Sequence, residues 1–219
     1  MIKTFALTAV AVIGLALATS ALAETDTAAA ANDTAPAAHA TVGEKAPDFT
    51  LPAADGGDKS LSSFAGKITV LEWHNKGCPF VKKHYESGNM QALQKEFTAK
   101  DVVWLTINSS APGKQGHESA ADALATAKAD GAASTHVLLD EKGEVGKLYG
   151  ATTTPSMYVI DKDGKLAYAG AIDDNSSPDP ETIKDAKNYV RAAIESLQAG
   201  KPVEVSSTKS YGCGVKYAD

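Results

Sequence analysis

ITVLEWHNKGCPFVKKHY, residues 68–85, decides how the rest of the chain is read. Its first six residues form a β-branched and aromatic run, the pattern of a strand buried on both faces. Cys78-Pro79 follows almost at once. Proline is favoured at the first helical position, where its missing N–H leaves nothing unsatisfied, so Cys78 is predicted to cap a helix. Apolar residues at Val81, Tyr85, Met90, Leu93 and Phe97 continue at helical spacing, and Ser87-Gly88 is expected to kink or interrupt them.

Working outward, residues 45–51 (KAPDFTL) alternate apolar side chains ahead of a turn, AADGGDKS. DVVWLTIN (101–108) is a second buried strand, followed by a glycine-bearing loop and an alanine-rich helix over 118–129. HVLLD (136–140) begins a third strand, and a short helix over 144–149 closes at Gly150. SMYVID and KLAYAGAI flank DKDG (161–164), a strong hairpin signal. One last helix is expected after Pro180, with Ile183, Tyr189, Val190, Ala193, Ile194 and Leu197 as its apolar stripe and Gly200 as its stop. Early strands separated by helices should be parallel, and the late hairpin adds antiparallel ones. The predicted class is α/β: a mixed central sheet flanked by helices.

The chain opens with Lys3, an apolar run over about 5–17 and Ala21-Leu22-Ala23, the pattern of a secretory signal peptide over 1–23. The expected locale is therefore a periplasm or the exterior, an oxidising setting for cysteines. Residues 24–41 are mostly alanine, threonine and small polar residues, too poor in large apolar side chains to order on their own, and are read as a disordered tether. Residues 42–199 suit one domain, with 200–219 as a C-terminal tail carrying Cys213. Losing Lys3 with the leader takes the formal charge from −6 to about −7, which offers no basic field for nucleic acid. No later run is long and apolar enough to cross a membrane.

At a helix mouth the Cys78 thiol meets free backbone N–H groups and the positive end of the helix dipole. Both favour thiolate, and Lys82, with Lys76 and Lys83, adds positive potential. Such a cysteine can fall from about 8.5 towards 3.5–7.5, which suits a redox nucleophile. A buried capping cysteine is the plain alternative. Val81 stands where a C-x-x-C pair would need its second thiol. The chain's other cysteine, Cys213 in YGCGVKYAD, lies 135 residues further on, flanked by glycines that suggest a mobile backbone. In an exported chain the two can pair. A permanent link would stabilise by about 5 kcal/mol in the chain-entropy model, whereas a transient one makes Cys213 a resolving thiol.

Glu72, inside the apolar strand, is costly unless paired: it is either a proton acceptor for the thiol or the partner of a strand-end lysine. His74 and His84 flank Cys78, but no dense ligand cluster accompanies them, so no metal and no other cofactor is expected. Asp173 and Asp174, after a predicted strand, are read as a solvated turn, with a place lining the cleft as the alternative, and Trp73 and Trp104 as core. TTTPSMYVI (152–160) sets Pro155 just ahead of a strand, where a turn or a cis bond is common.

Several motifs in one order resemble the thioredoxin fold, and within it the redoxin and AhpC/TSA, or peroxiredoxin-like, branch: GEKAPDFTLPAADG (43–56), GCPFVKKHY (77–85), INSSAPGKQGH (107–117), TTPSMYVID (153–161) and GAIDD (170–174). The resemblance implies an attacking role for Cys78. It implies that Pro155 is the cis-proline facing it across a substrate groove, with Thr154 offering main-chain hydrogen bonds to a bound peptide. Two positions depart from the pattern. Asn75 stands where peroxiredoxins carry Thr or Ser. Arg191, the single arginine, lies in the last helix rather than beside the cysteine. The expected function is exported thiol-disulfide redox chemistry with Cys78 attacking and Cys213 resolving. Its substrates would be protein or small-molecule disulfides, or peroxides, and a thiol would donate the electrons. The alternatives are a thiol-dependent peroxidase and a non-enzymatic peptide-binding domain with a structural disulfide.

Overall fold

A computed structural model describes residues 1–2 and 39–219 of the 219-residue chain. The leader and tether readings fall almost wholly outside the described residues. Of the tether, residues 39–41 are described, and Ala40 already donates its N–H to Leu148 O at 3.0 Å.

The alternating segment after Pro47 forms a small antiparallel pair, β1 (Thr50–Pro52) and β2 (Asp58–Ser60), turned by Gly56 and Gly57 at positive φ. The deciding stretch then gives β3 (Thr69–Trp73), every residue of which is buried, and α1 (Pro79–Glu86), capped by Cys78 with Pro79 at its first position. The gap at Ser87-Gly88 is a complete break, because Gly88 is left-handed and α2 (Asn89–Thr98) starts afresh. There follow β4 (Val103–Asn108), α3 (Ala120–Ala129), β5 (His136–Leu139) and α4 (Glu144–Tyr149). The chain continues through β6 (Thr153–Thr154), β7 (Ser156–Ile160), β8 (Leu166–Gly170), α5 (Tyr189–Gln198) and β9 (Cys213–Gly214).

The main sheet runs β5-β4-β3-β7-β8. β3, β4 and β5 are parallel and β7 and β8 antiparallel, as the crossovers and the hairpin require. Alternation along β3 divides the core. Leu71 and Trp73 face Leu105, Ile107, Tyr149 and Tyr158, while Val70 faces Met90, Phe97, Ile194 and the apolar side of α1. With helices on both sides of a mixed sheet, the chain has the thioredoxin-like fold that the resemblance implied.

Two expectations need correction. The single last helix is two elements: a 3₁₀ turn at Pro180–Asp185 capped by Asp179, then α5 capped by Asn188. Each cap oxygen accepts an N–H of its own segment, and Ala186 between them is extended, so Ile183 does not share a stripe with Val190. The segment after Gly200 is laid along the domain instead of hanging free. Ala169 N–H donates to Ser206 O and Thr208 N–H to Ala169 O, both at 3.1 Å, extending the structure beyond β8, and β9 then pairs with β6.

Candidate active site

Cys78 stands at the carboxyl end of β3, where the chain turns into α1. Asn75 shapes that turn. Its Oδ1 accepts the Gly77 N–H at 2.8 Å, its main-chain O accepts the Cys78 N–H at 3.0 Å, and its Nδ2 donates to Gln115 O at 3.2 Å. A Cβ at Gly77 would overlap Gln115, and one at Gly116 would overlap Asn75, so the 109–117 loop is drawn tight against this turn.

The Cys78 side chain is fully buried. Its Sγ donates to Thr154 O, the carbonyl just before Pro155, at 3.0 Å, and the Thr154–Pro155 peptide is cis. β9 is hydrogen-bonded to β6 in antiparallel register, Thr153 opposite Gly214 and Thr154 opposite Cys213. That register brings the second cysteine onto the first, and both are free thiols. Burial alone would push the Cys78 thiol up. Hydrogen bonds from the Cys213 thiol, the Thr154 side chain and the Val81 and Cys213 N–H groups outweigh it and hold Cys78 below the ordinary thiol value. Cys213 moves the other way, to about 11, through its own burial and then the hydrogen bond and charge of Cys78.

The source of this activation differs from the one the sequence suggested. Lys82 is exposed on α1, Lys76 pairs with Glu118 at 3.1 Å, and the groups that lower Cys78 are neutral donors rather than lysines. Lys83 is turned inward and fully buried, donating from Nζ to Asn175 O at 2.7 Å and lying 3.7 Å from Asp173.

Glu72 is also fully buried, on the same face of β3 as Val70, and makes no lysine pair. Tyr85 OH (2.8 Å), Gln94 Nε2 (3.0 Å), Trp104 Nε1 (2.8 Å) and Thr106 Oγ1 (3.3 Å) all donate to it. Burial raises its pKa, and these four donors oppose the rise. The expected strand-end salt bridge is therefore a buried network of neutral groups tying β3 to α1, α2 and β4. Trp73 and Trp104 are core as expected, although both indole N–H groups are used, Trp73 donating to Ser109 Oγ at 3.0 Å.

Asp173 is buried rather than part of a solvated turn, whereas Asp174 is exposed. Asp173 Oδ1 accepts the Tyr211 hydroxyl at 2.5 Å. His84 is fully buried and sits 3.1 Å from the same hydroxyl through Nε2. Its Nδ1 lies 2.9 Å from Asn89 Nδ2, which can only donate, so the ring takes the Nε2–H tautomer and donates to Tyr211. Burial, with the Lys83 charge, pushes His84 down to about 3, leaving it neutral. His74 packs edge-on to Tyr85 and falls to about 4, chiefly by burial. The two histidines thus face Tyr211 and Tyr85. Among the described residues no group of three or more His, Cys, Asp or Glu is arranged to hold a metal. Arg191 is engaged on α5 by Glu96 at 2.7 Å and lies over the Phe97 ring.

Sequence reasoning missed Tyr211, Tyr217 and the anchoring role of Asp173. The available signal was a pair of large aromatics bracketing Cys213 in an otherwise small and polar tail, which a solvated tail does not need.

Residues 42–169 match the AhpC/TSA family model. Among curated proteins, a thiol-disulfide oxidoreductase ResA from Geobacillus thermodenitrificans is 26% identical over 125 residues, 57% of this chain and 66% of the relative, so just under two-thirds of its length is spanned. Among solved structures, a hypothetical protein from Sinorhizobium meliloti 1021 is 29% identical with a TM-score of 0.71, covering 81% of this chain and 95% of that one. A candidate thioredoxin from Neisseria meningitidis, 20% identical, shares the fold with a TM-score of 0.50 over 71% of this chain and 94% of its own.

Proposed function

The chain belongs to the AhpC/TSA family, and from that membership we propose that it is a thiol-disulfide oxidoreductase in which Cys78 attacks and Cys213 resolves. The observation that carries this reading is the β6–β9 pairing, which sets one thiol as hydrogen-bond donor to another whose pKa is lowered.

In the first step the Cys78 thiolate attacks one sulfur of a substrate disulfide. A Cys78–sulfur bond forms, the substrate S–S bond breaks, and the second substrate sulfur leaves with the electron pair and takes up a proton. Cys78 then carries no charge. Two of the causes that hold the proton on Cys213, the charge and the hydrogen-bond acceptance of Cys78, vanish with it, and only burial is left. The Cys213 thiolate attacks Cys78 Sγ, closes the internal disulfide and expels the remaining substrate thiolate. The substrate gains two electrons, and the protein dithiol becomes a disulfide. A thiol donor from outside the chain restores the dithiol. The apolar leader read at 1–23 supports siting this exchange outside the cytoplasm.

Peroxide reduction fits less well. A peroxide-binding cation is wanted at the thiolate, and the single arginine, on α5, is paired with Glu96 of α2. The ResA relative's name also supports disulfide exchange over peroxide chemistry.

The test is oxidation of the reduced protein with a small disulfide, followed by peptide mapping. A Cys78–Cys213 link in wild type, and a stable substrate adduct on Cys78 in Cys213→Ser, are expected. An adduct on Cys213, or no link between the two, would refute the assignment.

A further inference from the structure

By the family resemblance, the main-chain edge of β6 is where an extended substrate peptide would add a strand beside Pro155. In this chain that edge is already taken. β9 lies on it in register, and Val215 N–H donates to Thr152 O at 3.0 Å just beyond the pair. We propose that β9 is a built-in occupant of the groove that confines the substrate to small-molecule disulfides, with Tyr211, Gly212 and Tyr217 as its specificity-determining residues. The proposal rests on the exchange reaction argued above.

Three features hold the strand in place. Upstream of Cys213, the Tyr211 hydroxyl is fixed between Asp173 Oδ1 (2.5 Å) and His84 Nε2 (3.1 Å), and its ring packs against Phe80. Downstream, the Tyr217 hydroxyl donates to Ala151 O at 2.6 Å, and its ring rests on Gly143 and Gly146, where a Cβ would collide with it. Between the two tyrosines, Gly212 has φ +133°, and a Cβ there would overlap Thr154 O. This glycine serves close approach of the two strands rather than freedom of the tail.

The consequence for substrates follows from what each must move. Cys78 is fully buried, and the half-buried Cys213 packs against the cluster that contains it. A small disulfide brings no main chain to pair with β6, so the displacement it asks of β9 is a rotamer change of the Cys213 side chain. A protein disulfide brings main chain on either side of its sulfur, and that main chain needs the edge β9 holds. It enters only after both tyrosines let go, one of them bonded to a carboxylate.

The test compares single-turnover oxidation of the reduced full-length protein by 2-hydroxyethyl disulfide and by insulin, for wild type, Gly212→Ala and Tyr211→Phe. Gly212→Ala pushes the strand off by steric overlap. Tyr211→Phe removes one hydroxyl and little else, so it reports even where the alanine variant folds badly. Each variant is expected to raise the ratio of the insulin rate to the small-disulfide rate about tenfold, the factor corresponding to one hydrogen bond to a charged group, because any activation Cys78 loses as the Cys213 donors withdraw slows both substrates alike. An unchanged ratio of the two rates, with both substrates reacting through Cys78, would overturn the strand's role and leave the exchange reaction standing. Failure of wild type to react with either substrate would overturn the exchange reaction and this proposal together.

Discussion

Cys78 and Cys213 are the same chemical group in hydrogen-bond contact, yet their surroundings push them in opposite directions. Cys78 is set by the frame: a strand buried on both faces, a proline-started helix and a carbonyl ahead of a cis-proline. Cys213 is set by a two-residue strand fastened from outside by tyrosines. The first thiol is held low by converging N–H and S–H donors, and the second is held high by its burial and by the first. The lesson is that nucleophile and resolver need not differ in kind. The frame (Thr154 and Val81) and the docked strand (Cys213) together supply the donors that activate one thiol, and the same strand carries the other.

Removing each thiol tests this division most severely. Cys78→Ser should abolish disulfide reduction, a loss of at least about a thousandfold, because a serine hydroxyl without a base is a far weaker nucleophile. Steady-state assays with a small disulfide and a thiol donor measure it, and residual turnover within tenfold of wild type would break the comparison. Cys213→Ser should react once at Cys78 and then stall, with the adduct seen by mass spectrometry and the circular dichroism unchanged. Wild-type turnover in that variant would mean that an external thiol resolves Cys78, and the strand would lose its chemical part.

Asp173→Asn sharpens the contrast between frame and strand. It leaves Lys83 buried without its counter-charge, 3.7 Å away in the native protein, and should cost about 3 kcal/mol in denaturant unfolding. It also loosens Tyr211 and with it β9, so closure of the internal disulfide should slow and the Cys78 titration midpoint should rise as the Cys213 donors withdraw. Unchanged closure and an unchanged midpoint would show that the Asp173 cluster does not hold the strand.

The smallest effect is expected at Glu72, which belongs to the frame alone. Its folded-state pKa lies above the unfolded value of about 4.3. The Glu72 contribution to stability is therefore greatest where Glu72 is protonated in both states. It should fall as pH rises through the interval from the unfolded to the folded value. Glu72→Gln should lack that slope. Urea midpoints measured from about pH 4 to 8 would reveal it, and parallel curves for the two proteins would refute the assignment.

The sequence disclosed whatever is local. The strand at 69–73, the Cys78-Pro79 helix start and the hairpin round Asp161 each depend on residues within a few positions, and all three are present. The break at Pro180–Asp185 was hidden because Ile183 fits a helical stripe, even though Asp179 and Asn188 are both good caps. Partners distant in sequence were out of reach. Tyr211 is 127 residues from His84, and Lys83 is 92 from Asn175, so neither the burial of Asp173 nor the docking of the tail could be read from neighbours. Gly212 misled for a related reason: a glycine that permits close approach looks the same in sequence as one that permits motion.

The central claim is that the frame and the docked strand together make Cys78, and not Cys213, the thiolate. It is tested most directly by alkylating the reduced wild-type protein with iodoacetamide across a range of pH and following each cysteine separately by peptide mass spectrometry. Midpoints, unlike absolute rates, do not depend on how easily the reagent reaches each thiol. The account predicts a Cys78 midpoint below the ordinary thiol value of about 8.5 and a Cys213 midpoint near 11. A Cys78 midpoint at or above about 8.5, or a Cys213 midpoint below that of Cys78, would contradict it.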